Sequence, residues 1–123
     1  MNLDGGTVRI LRQRNTAQAG EMPTYEWEKI FESFFGERTV GMNRYYTAKA
    51  QNDQIDMLIE IAPTRILSTA TDRAVIEKGF LGIPVEEGED PDVYFRIVQI
   101  QQTEGDDYLP VTQLSLERVA GLE

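Results

Sequence analysis

Alternation of apolar and polar residues is the main pattern along this chain, and a period of two predicts β-strands. The clearest predicted strand covers Asp53–Ala62 and ends at Pro63, which cannot donate a hydrogen bond to a neighbouring strand. One face of this strand is apolar and the other is mostly charged, which is typical of an antiparallel sheet or barrel wall with one face in water. The residues that we expect to face the core are Ile55, Met57, Ile59 and Ile61.

The same period predicts strands elsewhere in the chain. They cover Thr7–Arg14, Arg73–Lys78, Val93–Gln102 and Leu109–Val119. The run Gly105-Asp106-Asp107 between the last two predicts a hairpin turn. Asn15–Pro23 is predicted to be a turn or exposed loop, and Gly79–Asp92 is predicted to be a long loop or small insertion. Both segments contain glycine and proline, which interrupt regular secondary structure.

The segment Tyr25–Phe35 is ambiguous, because its first half alternates whereas its second half has helical spacing. Its aromatic content favours a strand through about Phe31 that continues irregularly to Gly36. We expect its aromatic residues to lie in the core next to the strand at Asp53–Ala62. A subunit interface, where aromatic residues are also enriched, is the alternative. The aromatic residues concerned are Trp27, Phe31, Phe34 and Phe35.

One helix is predicted, over Met42–Asn52, with Asn43 as its N-cap. A helix this short must dock on a sheet to be stable. With about six strands and this helix, the predicted fold class is mainly β, a small antiparallel β-barrel or sandwich. The 123 residues fit a single domain over residues 1–123.

The chain contains neither histidine nor cysteine. Disulfides, thiolate metal sites and the Ser-His-Asp and Cys-His catalytic arrangements are therefore excluded, and a reducing compartment is the simplest context. No nucleotide-binding glycine-rich loop is present, since Gly5-Gly6 does not follow a strand. We expect no enzyme activity, no cofactor and no metal. We also expect no signal peptide and no membrane span.

The acidic run Glu86–Asp92 offers oxygen ligands for Ca²⁺ or Mg²⁺ but lacks the ligand order of an EF-hand loop. We expect a solvated, mobile loop that binds no metal tightly.

The net charge of −9 disfavours binding to phosphate backbones, so no nucleic-acid partner is expected. Charge is nevertheless uneven, with a basic first strand and a later acidic run, and such a chain could pack head-to-tail against copies of itself. Ordinary solvated surface is the alternative. The candidate interface consists of the basic strand, the acidic run and the exposed part of the predicted helix. Its residues are Arg9, Arg12, Arg14, Tyr45, Tyr46, Glu86, Glu87, Glu89, Asp90 and Asp92.

The order of these segments resembles the head-tail joining proteins of tailed bacteriophages. A basic strand, Val8–Arg12, precedes an aromatic strand with the Tyr-x-Trp-Glu start Tyr25–Glu28. A short helix, Tyr45–Ala50, then runs into the apolar strand Ile55–Ile61. The chain finishes with Tyr94–Gln102, a turn, and Leu114–Val119. The resemblance covers most of residues 6 to 119, and it is one of residue type and order, without an active-site signature.

The resemblance implies a small β-barrel subunit that forms a ring at the head-tail connector. Such a ring joins the portal or adaptor complex to the tail and helps close the DNA-filled head, so the implied location is the virion, and the host cytoplasm during assembly. The sequence departs from the family at Gly79–Asp92, which is longer and more acidic than the usual tight connection.

Two other hypotheses remain. The chain could be a small bacterial protein-binding β module with no phage role, or an enzyme or ligand-binding barrel. The absence of histidine and cysteine counts against the enzyme, whereas a wide apolar cavity would favour a ligand-binding barrel.

Overall fold

A computed structural model of the chain describes residues 3–15, 17–38, 55–105 and 108–122. Six antiparallel strands and one short 3-10 helix account for the regular structure of these residues. The strands are β1 (Gly6–Asn15), β2 (Tyr25–Arg38), β3 (Met57–Ile61), β4 (Asp72–Glu77), β5 (Asp92–Glu104) and β6 (Pro110–Val119), and the 3-10 helix is Lys78–Leu81. The predicted helix at Met42–Asn52 lies outside the described residues.

The six strands form one closed barrel in the order β1-β2-β3-β6-β5-β4. The pairing of β1 with β4, from Val8 opposite Ile76 to Arg12 opposite Asp72, completes the circle. Of the two predicted architectures, barrel or sandwich, the structure therefore has the barrel. Closure matters because a closed sheet leaves few backbone edges to pair with other chains.

The barrel interior is filled by one apolar cluster to which every strand contributes. Isoleucine and other branched side chains dominate it, and most are completely inaccessible to solvent. Its buried members are Val8, Ile10, Phe35, Met57, Ile59, Ile61, Ala74, Ile76, Val93, Phe95, Ile97, Leu114 and Leu116.

Strand β2 is longer and more regular than predicted, and it continues to Arg38. A β-bulge resolves the change of spacing in the sequence: Ile10 pairs with Phe31 and Leu11 with Lys29, which leaves Ile30 as the extra residue. After the bulge the side chains resume alternation, so what resembled helical spacing is a strand with one inserted residue.

The prediction that all four aromatic residues of this segment lie in the core is wrong for two of them. Phe35 is buried and Phe31 packs against the core. Trp27 lies on the outer wall, 5.9 Å from the Arg73 guanidinium, and the Phe34 side chain is 67% exposed. Aromatic residues stabilise strands on either face, so composition alone did not distinguish the two faces.

Strand β3 confirms the predicted inward face but not the predicted exposed face. Met57, Ile59 and Ile61 are buried, whereas Ile55 precedes the strand and is only half-buried. Leu58 and Glu60 on the opposite face are also buried. All five residues of β3 are thus withdrawn from water, as in a strand covered on both sides.

The β4–β5 connection is irregular apart from the 3-10 helix, and Leu81 and Ile83 pack against the core. The Phe80 ring lies against Gly6, where a Cβ atom would approach Phe80 Cγ to 2.3 Å. Gly6 also has a φ of 126°, a conformation that other residues rarely adopt. The Gly5-Gly6 pair therefore serves backbone packing at the start of β1.

Replacement of Ile59 by aspartate tests the β3 register. Ile59 is fully buried, and a carboxylate there would lack any partner, so Ile59→Asp should lower the free energy of unfolding by more than about 4 kcal/mol. Ile66→Asp is the matched control because Ile66 is 54% exposed, and it should change stability by less than about 0.5 kcal/mol. Equal urea midpoints for the two variants would show that the register is wrong.

Candidate protein-interaction surfaces

The barrel has two chemically different ends. The first, here the hairpin end, carries the β1–β2, β3–β4 and β5–β6 connections at residues 16–24, 62–71 and 105–109. The second, the terminal end, carries the start of β1, the β4–β5 connection and the end of β6.

Large apolar side chains are exposed mainly at the hairpin end. Among the described residues, five of the eight exposed large apolar side chains lie there, with Met22 at 86% and Tyr108 at 82% exposure. Exposed apolar side chains that share one end of a domain are typical of protein-protein interfaces. The five are Met22, Tyr25, Ile66, Tyr108 and Leu109.

The backbone of the β5–β6 turn holds Tyr108 in this exposed position. Tyr108 has a φ of 62°, in the left-handed region that bulky residues rarely adopt. Gly105 N–H donates to the Leu109 carbonyl at 2.8 Å, and Tyr108 N–H donates to the Gly105 carbonyl at 3.0 Å. The turn therefore retains an unfavourable conformation that projects an aromatic ring into solvent, a combination associated with functional sites.

An ion pair between a partly exposed arginine and a buried aspartate fixes the β3–β4 connection at the hairpin end. Arg12 Nε and Nη2 donate to the two carboxylate oxygens of Asp72 at 2.8 and 3.0 Å. Asp72 is fully buried, and it also accepts from Ser68 N–H at 2.7 Å and from Thr71 Oγ1 at 3.0 Å. Arg12 Nη2 reaches the Ile66 carbonyl at 2.6 Å. This carboxylate thus organises the loop from which Ile66 projects.

An open groove of about 560 Å³ lies beside this loop, lined by the loop and the β5–β6 hairpin. Thr64 N–H donates to Thr112 Oγ1 at 2.9 Å, and Gln102 Nε2 donates to the Thr64 carbonyl at 2.7 Å. These bonds tie the β3–β4 connection to the hairpin and so fix the position of Thr64 and Gln102 in the groove. Its lining residues are Pro63, Thr64, Arg65, Gln102, Thr103, Pro110 and Val111.

The three arginines predicted as a basic interface each form an ion pair within the chain. Arg9 pairs with Asp92 at 2.8 Å, and Arg12 with Asp72 as described. Arg14 pairs with Glu28 at 2.9 Å. The basic strand and the acidic run were predicted to meet between copies of the chain, yet Arg9 and Asp92 contact each other within one chain because β1 and β5 both flank β4. The predicted interface role of these residues stays a prediction, and Tyr45 and Tyr46 lie outside the described residues.

The acidic run is anchored to the barrel at several points. Lys78 Nζ lies 3.5 Å from Glu89 Oε2, and Tyr94 Oη donates to Asp90 Oδ2 at 2.5 Å. This hydrogen bond raises the pKa of Tyr94 to about 12 and lowers the pKa of Asp90. The segment is irregular, as predicted, and Glu86 and Glu87 remain exposed.

The described part of the chain contains no group of three potential His, Cys, Asp or Glu ligands that could hold a metal ion. No helix in that part is long and apolar enough to cross a membrane. A smaller open pocket of about 370 Å³ lies at the terminal end, where the side chains of Leu81, Ile83 and Phe95 meet the charged groups of Asp56 and Arg118.

No known protein family matches this chain, and no curated protein resembles it significantly.

The apolar hairpin end was not predicted from the sequence. Met22, Ile66 and Tyr108 lie in or beside segments that were assigned to turns or left unassigned, so their hydrophobicity was not interpreted. Large apolar residues within predicted turns were the available signal, because a turn offers no core in which to bury them.

The importance of the ion pair between Arg12 and the buried Asp72 can be measured by comparing two arginines of the same strand. Arg12→Ala leaves the Asp72 carboxylate buried without a cation and should lower the free energy of unfolding by about 2 kcal/mol or more. Arg14→Ala removes a pair whose two side chains are both more than half exposed, and should cost less than about 0.5 kcal/mol. Similar urea midpoints for the two variants would refute the anchoring role of Asp72.

Titration of Tyr94 tests how the acidic run is anchored. Because the bonded phenol is stabilised in its neutral form, Tyr94 should ionise near pH 12, and this contribution to stability is present below about pH 10 and lost as the pH rises through 12. Absorbance at alkaline pH should show one late-titrating tyrosine that Tyr94→Phe removes. In the same variant the pKa of Asp90 should rise, as followed by NMR. An unchanged Asp90 titration would show that the hydrogen bond does not form in solution.

Proposed function

We propose that this protein is a structural subunit of the head-tail connector of a tailed bacteriophage or prophage. In this role it joins the portal or adaptor complex to the tail and helps close the DNA-filled head. The resemblance in segment order supports the proposal, as does the closed antiparallel barrel, since a barrel is the fold that the resemblance implies.

The observation that carries the proposal is the apolar hairpin end. Where the strands are paired around the closed sheet, their backbone is not free for association, so contacts with other subunits there depend on side chains at the ends and wall of the barrel. Met22 and Tyr108 there are 86% and 82% exposed in the isolated subunit, and Leu109 beside them is 52% exposed. Burial of such side chains against a partner is the usual source of interface stability.

The net charge of −9 supports assembly on a partner rather than spontaneous assembly in dilute solution. Identical subunits repel one another through such a charge. A connector partner would act as a template and offset the association entropy, which is about 4–15 kcal/mol per contact. The purified protein is therefore expected to be monomeric or weakly associated, and to form a ring only with its partner.

Complementation of a phage that lacks this protein tests the function. Without it, heads should be filled or leaking and should remain separate from free tails. Supply of the intact chain should restore joined, infectious particles. Complete virions in its absence would overturn the connector role and favour the hypothesis of a protein-binding β module.

Variants of the hairpin end connect this test to the structure. The double change Tyr108→Ser with Leu109→Ser removes two exposed apolar side chains and should leave the melting temperature nearly unchanged while reducing joined particles at least about tenfold. Val85→Ser is the control, because Val85 is 47% exposed but lies on the connection at the terminal end. Equal titres for the two variants would exclude the hairpin end as the docking surface.

A further inference from the structure

Among the described residues, one stretch of the barrel wall has a strand neighbour on one side only. Strand β2 pairs with β1 over almost its whole length, from Tyr25 to Phe35, but with β3 only over Phe35–Arg38. We propose that the free edge, Tyr25–Phe34, pairs with an extended basic segment of another protein, which adds a strand to the barrel. This inference concerns the backbone edge of β2, which shares only Tyr25 with the apolar hairpin end, and it goes beyond the proposed connector role.

The free edge exists because β3 stops early. Its last residue, Ile61, lies opposite Phe35, and the next residue, Ala62, donates its N–H to the Ser33 side chain at 3.2 Å instead of continuing the ladder. Pro63 follows and has no N–H to donate. Within residues 17–38 and 55–105, nothing else pairs with this edge as a strand. The edge spans ten residues, or about 33 Å at about 3.3 Å per residue.

Two hydrogen bonds identify the backbone groups that point away from β1. Phe35 accepts from Gly5 N–H at 2.7 Å, so its carbonyl faces β1, and by antiparallel alternation the groups of Phe34 and Glu32 face outward. Gln13 donates to the Thr71 carbonyl at 3.0 Å, on the β4 side, so Trp27 opposite Gln13 has no ladder bond to β1. The residues whose N–H and C=O groups face the free edge are therefore Tyr25, Trp27, Lys29, Glu32 and Phe34. The Phe34 carbonyl already accepts from Ser33 Oγ at 2.8 Å, so Phe34 offers chiefly its N–H to an added strand.

The side chains of this edge indicate which kind of strand it would accept. The segment carries three glutamates, Glu26, Glu28 and Glu32, and one lysine, Lys29. Glu28 pairs with Arg14 and Glu32 with Lys29, each at 2.9 Å, but these side chains are 45–66% exposed, so both pairs are weak and an incoming cation can compete for the carboxylates. Basic residues opposite the glutamates would form favourable cross-strand pairs, whereas acidic residues would be repelled. A second copy of this chain would bring the same glutamates and a further charge of −9. The charge therefore favours a basic segment of a different protein.

Self-pairing is further opposed by the bulge at Ile30, since a bulge distorts an edge and hinders the approach of a rigid second sheet. An extended peptide can follow the bend, and the exposed rings of Tyr25 and Phe34 flank its path. Strand addition of this kind derives affinity from main-chain hydrogen bonds and specificity from alternate side chains.

The other overhanging strand does not offer an equivalent site. Strand β5 also extends past β4, which pairs with it only as far as Arg96. Near that overhang, however, the chain's own β3–β4 connection approaches, and Gln102 donates to the Thr64 carbonyl at 2.7 Å. The β2 edge is therefore the more accessible of the two.

Amide hydrogen exchange of the full chain with a synthetic peptide tests the proposal. The probe is a capped peptide of about ten residues that alternates lysine and valine, with an otherwise identical glutamate-valine peptide for comparison. The lysine peptide should slow exchange at the edge-facing amides of Tyr25, Trp27, Lys29, Glu32 and Phe34. The amides of Ser33 and Glu28, which face β1, should be protected with or without it.

Two substitutions at one position separate backbone pairing from side-chain effects. Glu32→Pro removes an edge-facing N–H and should weaken peptide binding at least about tenfold, whereas Glu32→Ala removes the same side chain, retains the N–H, and should change affinity less than about threefold. Circular dichroism and the thermal midpoint of each variant establish that both fold.

Absence of edge protection, or equal binding by the proline and alanine variants, would overturn strand addition. Equal binding of the glutamate peptide would overturn the assignment to a basic segment. If the same amides become protected without peptide as protein concentration rises, and sedimentation shows dimers, the occupant is a second copy and the heterologous assignment is wrong. None of these outcomes depends on complementation of a phage, so the edge and the connector role can fail separately.

Discussion

A difference in strand length shapes this barrel more than any single contact. Strands β3 and β4 have five and six residues, whereas the four strands of the two hairpins have between ten and fourteen. A sheet closed through such short strands must leave the longer ones overhanging at one end. The β5 bulge lies at Val98, where that strand leaves its pairing with β4, whereas the β2 bulge lies at Ile30, within the overhanging part of the strand. Both allow the hairpins to bend away from the closed part of the sheet.

The β3–β4 connection has to cover the apolar interior that the short strands leave open. Leu67 on this connection packs against the core, and Asp72 holds the loop through Ser68 and Arg12. A buried carboxylate is costly unless it is fully bonded, and Asp72 accepts four hydrogen bonds from three residues. The loop is therefore held in one conformation, because few other conformations would provide hydrogen bonds to both carboxylate oxygens of Asp72.

The sequence predicted the strands well because period-two alternation reports directly on the two faces of a strand. It predicted β3, β5 and β6 with boundary errors of a few residues, and it identified the β5–β6 hairpin from glycine and aspartate. It did not predict the bulge at Ile30, since one inserted residue imitates helical spacing. Nor did it predict the ion pair between Arg9 and Asp92, because that contact depends on which strands are neighbours in the closed barrel. The sequence therefore predicted a basic surface from arginines that each form an ion pair within the folded chain.

The separation of charge from apolar surface explains how an acidic subunit could still associate. Asp92 at the terminal end and Glu104 at the hairpin end lie at opposite ends of β5, whose thirteen residues span about 40 Å. Electrostatic interactions in water are screened over about 8–10 Å, so the acidic run at the terminal end contributes little repulsion at the hairpin end. Glu21 and Glu104 act locally there, and they favour a partner that brings cations beside its apolar contacts. The glutamates of the β2 edge impose the same preference on an added strand. In the roles proposed for them, both surfaces would therefore favour a basic partner over an identical copy, through side chains at the hairpin end and through the backbone along β2.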